Sequence, residues 1–108
     1  MDDLLTATFE AHNPERNHHR WYRVRVGQDL FGDWSVTVGY GRSGQPGQTL
    51  RYGGPSADLL RAVVRDCLLR RLSAPRRLGC GYRLSELRTA DAFDHASWLP
   101  PDIMANFA

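Results

Sequence analysis

A chain of 108 residues with 42% hydrophobic residues has the size and apolar content of one ordinary domain, able to bury a single core without disulfide or metal staples. No run approaches the roughly 18 apolar residues of a membrane-spanning helix, and acids stand at positions 2 and 3 where an export signal carries a basic patch, which predicts a cytoplasmic protein. The net charge of +2 hides a segregation: all fourteen basic residues lie between Arg16 and Arg88 with only five acids among them, a net of +9, while residues 1–15 hold four acids and residues 89–108 hold three. Such a centre attracts polyanions. Every basic residue is arginine, a side chain suited to bidentate phosphate contact and to stacking on bases; codon bias in a GC-rich genome is the better account of the absence of lysine.

In chain order, residues 1–19 read as a weakly ordered lead-in, because HNPERNHH is polar, contains a proline and shows no period. Alternation then sets in. In RWYRVRV (20–26), Tyr22, Val24 and Val26 share one face, and Trp21, Arg23 and Arg25 the other. WSVTVGY (34–40) places Trp34, Val36, Val38 and Tyr40 together, and GQDLFGD between the two runs reads as a hairpin loop. A third strand, QTLRY (48–52), follows the turn-rich RSGQPG.

GGPS (53–56) breaks the sheet pattern, with Ser56 placed as a helix N-cap and Asp58 in the first turn, where negative charge suits the helix dipole. Leu60, Val63, Val64, Cys67, Leu68 and Leu72 form one apolar stripe, predicting an amphipathic helix over 57–73 that stops before Pro75. On its charged side Asp58 precedes Arg61 by three residues and Asp66 precedes Arg70 by four, spacings that favour local ion pairs. CGYRLSEL (80–87) reads as a final strand, and residues 89–108 as an amphipathic appendage interrupted by Pro100 and Pro101. The elements add up to an α+β fold, an antiparallel meander of three to five strands with one helix packed on one face.

Little in the sequence points to catalysis. Gly39, Gly41 and Gly44 spell GxGxxG, but a dinucleotide site needs those glycines to turn a strand into a helix, whereas Pro46 and Gly47 lead here into another strand. Cys67 and Cys80 lack CxxC spacing and read as reduced thiols. His12, His18, His19 and His95 lack the fixed spacing of metal ligands, and no motif sets a nucleophile beside a base. We expect no enzyme activity, no cofactor and no metal.

The segment GYGRSGQPGQ (39–48), with RWYRVRV and DLFGDWSV before it and GYR (81–83) after the helix, resembles the WGR domain family. Tyr40-Gly41-Arg42 stands where the naming Trp-Gly-Arg is expected. The resemblance covers residues 13–84 and sets a domain at 20–88 between the lead-in and the appendage. It implies DNA binding: in poly(ADP-ribose) polymerases this domain contacts DNA near a break, its tryptophan packs on the terminal nucleotide and its arginine joins neighbouring domains. Similar modules stand nearly alone in bacterial proteins.

Two readings of Tyr40 stay open, a residue at the core margin in phase with Trp34, Val36 and Val38, or an aromatic face for a nucleotide. Arg42 sits in a glycine-bracketed turn where packing demands no arginine. Trp21, Arg23 and Arg25 offer a stacking-plus-phosphate face or an ordinary charged surface. Arg76 and Arg77 have no acid nearby in sequence. The candidate nucleic-acid contacts are therefore Tyr40, Gly41, Arg42, Trp21, Arg23, Arg25, Arg76 and Arg77, binding through phosphates without strong sequence preference. The alternative is a docking module that recruits a protein or a second copy through Phe93, Trp98, Leu99, Ile103 and Phe107.

Overall fold

The alternating runs form strands of a single five-stranded sheet in the computed structural model, which describes residues 3–108 with the exception of the Arg77 side chain. Strands β1 (Asp3–Asn13), β2 (His18–Gln28), β3 (Trp34–Arg42) and β4 (Gln48–Gly54) run as an antiparallel meander. After the helices, β5 (Arg83–Thr89) returns to pair with β1, giving the order β4-β3-β2-β1-β5.

The lead-in of the sequence reading is largely β1, a strand paired on both sides. Leu5, Ala7, Phe9 and Ala11 alternate with Thr6, Thr8, Glu10 and His12, and all four apolar residues are buried. Two of the four are alanine, a poor strand former that yields to tertiary packing here. The polar HNPERNHH is not irregular throughout either: it closes the β1–β2 hairpin through a 3-10 turn at Pro14–Arg16 and a left-handed Asn17.

Helix α1 (Ala57–Arg71) starts where Ser56 accepts a hydrogen bond from the Leu59 amide at 3.3 Å. Leu60, Val64, Cys67 and Leu68 are buried against β3 and β4, on the sheet face that carries Tyr22, Val24, Val26, Val36 and Val38. As the sequence predicts, α1 ends before Pro75, at Arg71. Pro75 itself sits in the first turn of a second short helix, α2 (Ala74–Leu78), where its missing N–H has no partner to lose.

The C-terminal segment closes the other half of the same face. It contains a 3-10 turn at His95–Ser97, helix α3 (Pro101–Met104) and a final turn at Ala105–Phe107. Trp98, Leu99, Ile103 and Phe107 are buried in the domain's own core. The Phe107 ring meets Phe9 edge-on at 5.0 Å, and Trp98 lies 5.1 Å from Trp34. These four side chains are therefore packed on their own domain; Phe93 lies beside them, partly buried. No helix among the described residues is long and apolar enough to cross a membrane.

Candidate nucleic-acid interface

Register divides the candidate residues between the two faces of the sheet. Trp21, Arg23 and Arg25 lie opposite Gly41, Gly39 and Thr37 on the face that neither α1 nor the C-terminal segment covers. Tyr40 and Arg42 lie opposite Tyr22 and Arg20, in phase with the core.

On the open face the Trp21 indole lies across the glycines of the Tyr-Gly-Arg hairpin. A Cβ on Gly39 would stand 3.0 Å from the ring, and one on Gly47 would stand 2.7 Å from it. A Cβ on Gly41 would come within 2.7 Å of the Gly47 Cα. Trp21 Nε1 donates to the Arg42 carbonyl at 3.1 Å, and the Arg23 guanidinium sits 5.3 Å from the ring centroid. Gly41 is thus a packing requirement of the hairpin, and the indole is engaged within the domain. We expect Gly41→Ala to cost about 1–3 kcal/mol, because a backbone atom of Gly47 must move to admit the methyl group; thermal melting checks this.

On the helix side the Tyr40 ring stacks against Tyr22 with centroids 6.4 Å apart, and its hydroxyl donates to Gln48 Oε1 at 2.8 Å. Burial pushes the Tyr22 phenol far above its ordinary pKa, with the neighbouring Cys67 thiol adding to the shift, so the ring stays neutral. Arg71 lies over Tyr22 at 4.8 Å. Together Tyr40, Tyr52, Leu50, Arg70 and Arg71 ring a cavity of about 260 Å³ floored by Tyr22 and Val38. Tyr40 is half-buried, so it serves the core margin with one face and lines this cavity with the rest.

One pleat beyond the tyrosines, Arg20 and Arg42 are direct cross-strand partners. Like charges in that position repel, by a few tenths to about 1 kcal/mol. Among the described residues none of Arg20, Arg42, Arg70 and Arg71 has an ion-pair partner, and Arg20 Nη1 and Arg71 Nε are buried without a hydrogen bond. The Asp58–Arg61 pair forms at 2.8 Å, whereas the Asp66–Arg70 pair suggested by spacing does not, which leaves Arg70 free. Arg70 and Arg71 thus line the cavity beside the phenol rings, and the Arg20–Arg42 pair lies one cross-strand pair beyond Tyr22 and Tyr40.

Arg20, Arg70, Arg71 and Tyr52 are not marked by any sequence motif and join the candidates only in the folded domain. Arg20 was detectable, since it continues the phase of Tyr22; the helix residues join only through tertiary packing. Arg76 is exposed on α2, apart from the cavity lining, and Arg77 lies outside the described side chains. Elsewhere His12 and His19 meet Nδ1 to Nδ1 at 2.9 Å on the open face, next to Glu10, whose carboxyl is held below its ordinary pKa by hydrogen bonds from Ser85 and then His12. No group of three metal-ligating side chains occurs among the described residues.

A four-stranded meander feeding an amphipathic helix, with an aromatic-Gly-Arg hairpin folded under a tryptophan, defines a small sheet-and-helix module. The chain belongs to the WGR domain family, whose model matches residues 5–58, half of its length. The match runs from β1 into the first turn of α1, so it begins and ends earlier than the 13–84 stretch suggested by the motifs alone. No curated protein matches the chain.

Proposed function

We propose that this domain is a non-catalytic module that binds nucleic acid, DNA in preference, by gripping backbone phosphates with Arg20, Arg42, Arg70 and Arg71 while a terminal nucleotide rests against Tyr40 and Tyr52. The observation that carries this reading is the unneutralised Arg20–Arg42 cross-strand pair beside an aromatic cavity. Directly opposed arginines repel each other, and a polyanion relieves the repulsion. The family's known use in DNA-break recognition agrees with it, and tyrosine retains a stacking face in place of tryptophan. The cluster supplies hydrogen-bond donors and ring faces, the chemistry of a binding surface.

The test is Tyr40→Ala and Tyr40→Phe, measured by fluorescence anisotropy on matched linear and closed circular DNAs. Tyr40→Ala is expected to weaken binding to ends by about tenfold, as for one lost stacking contact of 1–3 kcal/mol, with a smaller loss on closed DNA. Tyr40→Phe should keep the preference for ends. Equal losses on both substrates, together with a lowered melting temperature, would assign Tyr40 to the core alone.

A docking reading is favoured by the β2–β3 hairpin tip, apart from the C-terminal segment. Leu30 and Phe31 at the β2–β3 hairpin tip are fully exposed, although Asp29 Oδ1 accepts from the Phe31 and Asp33 amides at 2.8 and 3.0 Å and holds the loop in shape. Adjacent, ordered and apolar side chains of this kind suit contact with a protein. Phe31→Ser is expected to leave both stability and DNA affinity unchanged under the nucleic-acid reading; loss of DNA binding in that variant would move the interface to the tip.

A further inference from the structure

We infer that the open face of the sheet is a second, separate phosphate-binding surface, so that one copy of the domain bridges two nucleic-acid duplexes. This rests on the reading above for the first surface and adds a site on the opposite side of the molecule. The register places Arg51, Thr37, Arg25, Thr6 and Arg88 in one row across all five strands. The three arginines alternate with threonines and are exposed. With neighbouring strands about 4.8 Å apart, successive arginines in the row stand about 10 Å apart. That spacing lies between the widths of the two DNA grooves, about 6 and 12 Å, so each guanidinium on its flexible stem meets a different phosphate.

The adjoining rows add Arg23, opposite Thr8, and Arg83, opposite Glu10. Five arginines thus share the face with two glutamates, Glu10 and Glu86; Glu86 pairs with Arg88 at 3.0 Å, and Glu10 contacts His12. Thr37, between Arg51 and Arg25, is the one buried polar residue of the domain's described part. Neither α1 nor the C-terminal segment covers this face: α1 packs on β3 and β4 from the other side, as Trp98 and Phe107 do on Trp34 and Phe9. Arg20, Arg42, Arg70 and Arg71 point to that other side, and the sheet stands between the two groups. A duplex seated on one is held away from the other.

The experiment mixes the full chain with two 20-base-pair duplexes, one carrying a donor dye and one an acceptor, and reads energy transfer between them. Anisotropy on a single labelled duplex reports simple binding, and light scattering reports the mass of the free protein. Wild type is expected to be a monomer of 12.2 kDa that gives transfer, rising and then falling as protein exceeds DNA. Arg25→Glu with Arg51→Glu should keep single-duplex affinity within threefold and lose the transfer. Arg51→Ser with Arg88→Ser, a milder change, should reduce it at least fivefold. Wild type that binds a duplex without transfer overturns the bridging surface and leaves the first site standing, as does undiminished transfer in folded variants. Wild type that binds no duplex at all overturns both readings together.

Discussion

Trp98→Ala is expected to lower the unfolding free energy by about 3–5 kcal/mol, the range for truncating a large buried aromatic. Trp98 is 1% exposed and sits between Trp34 and Phe93, with the Arg61 guanidinium 5.1 Å from its ring centroid. For a domain whose whole stability is about 5–15 kcal/mol, this is a large share. The variant should lose a substantial part of its urea resistance, with a reduced midpoint and an unchanged slope. A midpoint within error of wild type would mean that the C-terminal segment is an ornament on the fold and not half of its hydrophobic layer.

The second large effect is on binding. Arg42→Ala combined with Arg70→Ala removes two exposed guanidiniums from the helix-side cluster, neither of which has an ion-pair partner among the described residues. Each charge-assisted contact is worth about 1.5–3 kcal/mol, so the pair should weaken duplex affinity by roughly a hundredfold or more at low salt. The loss should be uniform across DNA sequences, because phosphate contacts position without specifying. Melting should move little, since surface substitutions away from such contacts stay within about 0.5 kcal/mol. Sequence-dependent losses would point to base contacts instead.

The strands at 20–26, 34–40 and 48–52 were legible because their period-two patterns are carried by valine and aromatic residues, and the helix because Ser56 and its apolar stripe mark it. β1 carries the same period in Leu5, Ala7, Phe9 and Ala11, but alanine writes it faintly, and the polar hairpin that follows it resembles a loop. Burial of Trp98, Leu99, Ile103 and Phe107 could not be separated from exposure by pattern alone, since a segment that packs on its own sheet and one that packs on a partner need the same apolar residues.

At the site, alternation already assigns Trp21 and Tyr40 to faces within their own strands. What it cannot supply is the register between strands, and register puts the two aromatics on opposite sides of the sheet and sets Arg20 against Arg42. The same is true of Arg25, Arg51 and Arg88, which are far apart in the chain and become a row only when five strands are paired. Gly41 looked like part of a binding motif; its role in the fold is to let Gly47 and the Trp21 indole close over the hairpin.

The most direct test of the central claim is the salt dependence of wild-type binding to a short linear duplex held at trace concentration under excess protein, so that each duplex sits on the tighter, first surface. Four arginines meeting roughly four phosphates predict a log–log slope of affinity against salt near −3 to −4, about −0.9 for each phosphate neutralised. Arg42→Ala should reduce that slope by about one. No detectable binding by folded protein at low salt, or an affinity independent of salt, would contradict the account and leave the Leu30–Phe31 tip as the surface to pursue.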